Sequence, residues 1–159
     1  PFDYEDLEWR VLRTRDYGKL EAMITPYVTA RAVQERLDKV CGPIMWWNEF
    51  KDWRNGQLCG ITIVDGDRIV TKWDGAPDTN IEKLKGGLSD SMKRAAVQWG
   101  IGRYLYSLGE MKAEILDRYQ AGAEKGEHKD SKTKESRKFW WKPNAAAVKA
   151  IEKSIKSEK

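Results

Sequence analysis

Apolar and polar residues alternate along Glu8–Asp16 (EWRVLRTRD), which predicts a strand, and Tyr17-Gly18-Lys19 reads as the turn that follows it. Pro26 is expected to end whatever precedes it. The period then changes. In TARAVQERLDKVCGP, Ala32, Val33, Leu37 and Val40 fall on one helical stripe, Thr29 is placed to cap the start, and Gly42-Pro43 stops the run. Alternation returns at MWWNEFKDW. Trp47, Glu49, Lys51 and Trp53 share one face, and Trp46, Asn48, Phe50 and Asp52 the other. Asn55-Gly56 is a hairpin signal, QLCGITIV is the returning strand, and Asp65–Asp67 (DGD) turns into RIVTKWDGA. This spacing predicts a three-stranded antiparallel meander.

The next helix opens near APDTNIEKLK, where Thr79 and Glu82 have capping-box spacing. Its pattern runs through Gly86-Gly87, a place for a break or kink, to about Leu108. Leu88, Met92, Ala95, Ala96 and Trp99 form its apolar stripe. MKAEIL fits either a short strand or a further helical turn. Residues 120–138 show no apolar period and read as a flexible charged loop. Residues 139–159 read as an aromatic segment followed by a helix from Asn144. The expected division is therefore a folded body over 1–119, a loop over 120–138, and an appendage over 139–159. The fold class is α+β.

Composition changes the picture in three places. The chain of 159 residues is 40% hydrophobic and 34% charged, with no apolar run long enough to span a membrane. No stretch reads as a signal peptide; the chain opens at PFDYEDLEWR, so a preceding targeting segment stays an open question. The net charge of +4 is unevenly placed. From Gln120 onward there are 11 Lys/Arg against 6 Asp/Glu, which leaves residues 1–119 at −1. A nucleic-acid site on the body must therefore be a local groove. Third, 8 tryptophans exceed what one small core needs, so some are expected in a subunit interface or against bases. Trp46 and Trp47 are adjacent on a strand, so at most one of them enters a given core.

Little of the sequence favours catalysis. Cys41 and Cys59 lack a partner pattern and read as reduced, half-buried thiols. His128 is the only histidine and sits in a charged, exposed-looking stretch, which argues against triads and His-ligated zinc. Gly100-x-Gly102 lacks the third glycine of a dinucleotide loop and follows a helix rather than a strand. A metal-dependent nuclease would need Glu49 and Lys51 to converge with Asp38, Asp65 or Asp67; cross-strand ion pairs explain such residues equally well. No cofactor is expected. Lys93 and Arg94, side by side at the flank of the small-residue stripe, fit either a solvated helix face or a narrow groove tracking a phosphate backbone.

ARAVQERLDKVCGP, the hairpin after it and LSDSMKRAAVQWGIGRYLY together resemble the Rad52/Rad22 family of single-strand annealing proteins, in its bacterial and phage branch. The likeness runs from about Trp9 to Leu108. Its most specific parts are DSMKRA followed by the aromatic-Gly pair Trp99-Gly100, and VCGP before a tryptophan. The resemblance implies a β-β-β-α core, a meander packed on a long helix with an N-terminal strand and helix. It implies subunits joined in rings or open arcs. Single-stranded DNA would lie in a basic groove with its bases turned outward, annealed without nucleotide hydrolysis or any enzymatic step. Lys93 and Arg94 match the family's groove pair. Arg13 matches a groove arginine, with Arg15 or Lys19 as alternatives in a shifted register. Arg103 is added on its charge and its position beside the glycines. The expected partners are single-stranded DNA, further copies of the chain and a single-strand DNA-binding protein, in the cytoplasm at the nucleoid. The family's outer DNA site has no clear counterpart, because WDGAPDTN carries two acids. The tail from Gln120 lies outside the likeness. Two alternatives remain: a module that protects single-stranded ends without annealing, and the nuclease.

Overall fold

A computed structural model describes residues 1–77, 83–131 and 133–157. The chain is α+β and divides into two compact units, Val28–Arg103 and a discontinuous one made of Pro1–Tyr27 with Tyr104–Lys159. This grouping differs from the sequential division expected, because the segment from Tyr104 onward folds with the N-terminal strands.

In the unit Val28–Arg103, α1 (Ala30–Cys41) begins where Thr29 Oγ1 accepts a hydrogen bond from the Ala32 backbone at 3.0 Å and ends at Gly42, whose φ is 88°. Val33 and Leu37 are buried, as the stripe predicts. Val40 is not: it is 73% exposed, because the helix turns that edge outward in its last turn. The predicted meander is present as β3 (Trp46–Trp53), β4 (Gly56–Asp65) and β5 (Arg68–Pro77), in that spatial order. The first hairpin is shifted by one residue from the expectation. Trp53 pairs with Gly56, so Arg54 and Asn55 form the loop and Arg54 takes the positive φ of 54°. Gly56 is drawn into β4, since a Cβ there would lie 2.4 Å from the Ala76 carbonyl oxygen. The second turn falls on Gly66-Asp67, as DGD predicts.

α2 (Lys83–Gln98) packs against β4 and β5. Met92, Ala95 and Ala96 are buried and Leu88 and Trp99 half-buried, as expected, and Ser91 joins them with its hydroxyl bonded to the Leu88 carbonyl. The helix passes Gly86-Gly87 without a break but stops at Gln98, ten residues short of the expected end. Gly100 explains the stop. Its φ is 87°, its N–H donates to the Val97 carbonyl, and the Ile101 N–H donates to the Ala96 carbonyl, the paired bonds of a Schellman end. Arg103–Ser107 is a separate 3₁₀ turn. The expected capping box at Thr79 and Glu82 lies outside the described residues.

The other unit holds a five-stranded sheet in the order β1 (Leu7–Asp16), β2 (Leu20–Val28), β6 (Met111–Leu116), β8 (Ser136–Pro143), β7 (Glu124–Lys129), with α3 (Ala145–Ser157) after it. β1 and α3 are as predicted, and Asn144 Oδ1 accepts from the Ala147 backbone at the start of α3. MKAEIL resolves as a strand. Two expectations need correction. Pro26 does not end a segment: β2 runs through it, with Leu20, Ala22, Ile24, Pro26 and Val28 buried in strict alternation. Its pairing with β6 involves Met23 and Ile24, so the missing N–H of Pro26 costs no bond to that neighbour. Residues 120–138 are not one loop, because β7 pairs with β8 from Glu124 to Lys129. Gly126 fixes that pairing: a Cβ there would meet the Phe139 ring at 2.5 Å. The two edge strands approach each other, and Thr14 Oγ1 and His128 Nδ1 lie 2.7 Å apart, so His128 is half-buried and hydrogen-bonded rather than exposed. Phe2, Trp9, Phe139 and Trp141 supply the aromatic part of the core.

Glycine carries the meander as well. At Gly60 a Cβ would lie 2.6–2.8 Å from three carbons of the Trp73 indole, which crosses β4 at that point. Gly60→Ala should therefore destabilise the protein by about 1–3 kcal/mol through overpacking. Urea unfolding checks this; an unchanged midpoint would show that the indole shifts freely.

Candidate nucleic-acid interface

The backbone register places Asp74 on the same sheet face as Cys59 and Phe50, the face covered by α2. Asp74 Oδ1 accepts from its neighbour's Gly75 N–H at 2.7 Å and from Arg94 Nε at 3.1 Å, and Oδ2 accepts from Gln98 Nε2 at 3.0 Å. Burial alone would raise the Asp74 pKa. The hydrogen bonds from Gln98, Gly75 and Arg94, with the charge of Arg94, outweigh it and hold the carboxyl below its ordinary value. Arg94 and Gln98 are four residues apart, so one helix face delivers both donors to one carboxylate. The Arg94 side chain remains 52% exposed. Lys93, on the adjoining edge, is 22% exposed and its Nζ lies 2.7 Å from Asp90 Oδ1, an i,i+3 pair.

The last carbonyls of α2 also draw cations. Lys72 Nζ reaches the Gln98 carbonyl at 3.0 Å and lies 4.3 Å from the centre of the Trp99 ring. Arg103 donates to the Val97 carbonyl from Nε and Nη2, at 3.1 and 2.8 Å, and from Nη2 to the Gln98 carbonyl at 3.2 Å. Positive charge at a helix C-terminus is favourable. The Trp99 indole N–H, in turn, donates to the Ile61 carbonyl of β4 at 3.1 Å and anchors the end of the helix to the sheet. The structure thus joins Arg94 and Arg103, with Lys72, around Gln98, and Lys93 precedes Arg94 on the same helix. Sequence reasoning missed Lys72. Strand alternation held the signal, since Lys72 and Asp74 fall on one face two residues apart.

Arg13, Arg15 and Lys19 belong to the other unit. Arg13 Nη2 pairs with Glu110 Oε2 at 2.5 Å, and both side chains are well exposed. Arg15 is exposed on β1, and Lys19 is exposed in the turn after it, beside Gly18, whose N–H bonds Asp16. The nuclease candidates do not converge. Asp38 accepts from the Trp46 indole at 2.7 Å, while strand alternation puts Glu49 and Lys51 on the opposite face, where Lys51 lies 4.3 Å from the centre of Trp73. Among the described residues no group of three or more His, Cys, Asp or Glu is placed to hold a metal ion. Cys41 is half-buried and Cys59 buried, with burial pushing the Cys59 thiol up to about 11. Among the described residues no helix is long and apolar enough to cross a membrane.

A helix bearing DSMKRA on a three-stranded meander is the arrangement that the sequence resemblance implies, and the family comparison agrees. The model of the Rad52/22 family double-strand break repair protein matches residues 1–124. The chain belongs to this family. It is similar to the single-stranded DNA-binding protein DdrA of Deinococcus radiodurans, with 36% identity over 122 residues, covering 74% of this chain and 56% of the relative. It is also similar to the DdrA of Deinococcus deserti, at 34% identity over 122 residues, covering 68% of this chain and 54% of the relative. The chain therefore spans about half the length of these curated relatives. No solved structure matches it.

The state of Asp74 is testable by pH. A carboxyl whose pKa is lower folded than unfolded adds stability above its ordinary pKa of 3.8 and loses it as pH falls through the lowered value. Asp74→Ala should cost about 1–2 kcal/mol at pH 7. The gap from the wild type should narrow steadily below pH 4. Chemical denaturation at pH 7 and pH 3 checks this, and a gap that stays constant would contradict it.

Proposed function

We propose that the chain binds single-stranded DNA along its phosphate backbone and, as a homo-oligomer, anneals complementary strands without nucleotide hydrolysis. The observation that carries this reading is the Lys93–Arg94 pair, held on a helix whose other face is fixed to the sheet. Asp74 and Asp90 hold the two side chains in place. Both pairs lie at the surface with one half-buried member, so an incoming phosphate competes with a carboxylate for each cation. Arg103 and Lys72 add positive charge at the same helix end. Arg13, Arg15 and Lys19 are proposed as further backbone contacts, Arg13 after leaving Glu110. The relatives' names, which specify single-stranded DNA binding, support the choice of ligand.

Self-association is supported by apolar surface that the unit Val28–Arg103 leaves uncovered. Val40, Ile44, Trp47, Trp53 and Ile69 are all exposed. Among the eight tryptophans only Trp9 and Trp141 are fully buried. Surface of this kind marks an interaction site. A ring or arc of subunits would repeat the Lys93–Arg94 pair along the strand, and a single-strand DNA-binding protein would be its natural competitor or partner on that DNA. The relatives' names specify binding and not annealing, so a module that binds and protects single-stranded ends without annealing is the second reading. Mixing complementary labelled strands with the protein and no ATP separates the two: faster pairing supports annealing, and binding without faster pairing supports protection.

Lys93→Ala/Arg94→Ala removes two phosphate contacts per subunit. Each neutralised phosphate contributes a slope of about −0.7 in log affinity against log salt, so affinity at 0.1 M salt should fall about 10- to 30-fold for each subunit engaged. The salt slope should flatten by about 1.4 for each subunit engaged, across all base sequences. Fluorescence anisotropy over a salt series checks both numbers. Unchanged affinity and slope would assign the pair to a solvated helix face.

A further inference from the structure

Mostly beyond the family match, which ends at residue 124, the chain builds a second surface with the same kind of chemistry, to which Tyr119 comes from within the match. β8 alternates. Phe139 and Trp141 enter the core, and Lys138, Trp140 and Lys142 take the opposite face. The register across the sheet puts Lys125 of β7 beside Trp140, and Glu127 beside Lys138. Lys125 Nζ lies 5.3 Å from the centre of the Trp140 ring, and Tyr119 meets that ring edge-on with centroids 5.0 Å apart. Tyr119 is itself exposed, and Trp140 is only half-buried. A shallow groove of about 450 Å³ runs along Lys125, Gly126, Glu127, Lys138, Phe139 and Trp140.

The charges around the groove favour an anion. Glu127 accepts from the Ser136 hydroxyl, a neutral donor that leaves its charge in place, Glu114 pairs with Lys142 at 3.6 Å, and Lys142 also donates to Gln120 Oε1 at 3.2 Å, so three lysines face two carboxylates. Lys125, across from Trp140 on β7, and Lys138, two residues before it on β8, are both exposed. From Gln120 onward the chain is net +5. An aromatic ring flanked by cations in an open groove is what a base and its two phosphates require.

We propose that Trp140, supported by Tyr119, stacks an unpaired base of a single-stranded nucleic acid, with Lys125 and Lys138 taking the flanking phosphates. Lys125 now covers the ring face. A base–aromatic stack is the stronger contact of the two, so the ammonium swings from ring to phosphate as the base arrives. This surface lies on β7 and β8, apart from α2 in the chain, and rests on the proposed single-strand binding only for the identity of its ligand.

The test compares binding of a labelled oligothymidine with that of an abasic strand of the same length. Trp140→Ala should weaken oligothymidine binding about 5- to 10-fold and leave the abasic strand unchanged. Trp140→Phe should restore most of the loss. Lys125→Ala/Lys138→Ala should weaken both strands and flatten the salt slope by about 1.4. Because Trp140 is half-buried, circular dichroism confirms that each variant folds, and Tyr119→Ala gives an independent route to the same base-dependent loss. Unchanged oligothymidine affinity in folded Trp140→Ala and Tyr119→Ala would overturn the proposal while leaving binding at α2 intact. A change in molecular mass by light scattering with no change in affinity would also overturn it, by making the patch a subunit contact. A wild-type chain that binds neither strand would overturn this proposal and the proposed function together.

Discussion

The carboxylate of Asp74 ties α2 to the meander, and the geometry of the candidate site depends on it. One residue of β5 collects donors from its own backbone neighbour and from two positions one helical turn apart. Hydrogen bonds to an ionised group are stronger than an isolated exposed ion pair, because several donors share one fixed acceptor. Arg94 is therefore positioned as much by the shared carboxylate as by its own charge. The buried stripe of Ser91, Ala95 and Ala96 allows this closeness, because large side chains there would hold the helix away from the sheet. A cation on a flexible stem thus acquires a fixed address while half of it stays in water.

The end of the helix follows from the same constraint. A helix laid on a sheet must stop where its last carbonyls can be satisfied, and Gly100 stops α2 while Lys72 and Arg103 supply the donors. These two residues do structural work that their charge alone would not reveal. In the proposed complex with DNA they would add positive potential without leaving the helix, whereas Lys93 and Arg94 would have to exchange Asp90 and Asp74 for phosphates.

Much of this was legible from local pattern. Period-3.6 and period-2 runs located α1, the meander and α3, and the cap residue Thr29 was readable because its chemistry is local. The end of α2 was misjudged although Gly100 is a local signal, and the other misses involve neighbours distant in sequence. β7 has the sequence EKGEHK and no apolar alternation; it is a strand because β8 pairs with it and Gly126 admits the Phe139 ring. β2 was hidden by Pro26, a breaker only where its N–H is needed. The hairpin shifted by one residue because Gly56 was required by β5 rather than by the turn. The Lys93–Arg94 pair was visible as a motif, but Asp74 as its anchor was not, since that contact spans twenty residues and depends on sheet register.

The central claim is that Lys93 lies against a DNA strand. Lysine acetylation followed by mass spectrometry, with and without single-stranded DNA at low salt, tests it residue by residue. Lys93 should lose most of its labelling when DNA is present, and the protection should fade as salt rises, because phosphate contacts are displaced by counterions. Equal labelling of Lys93 with and without bound DNA would contradict the account.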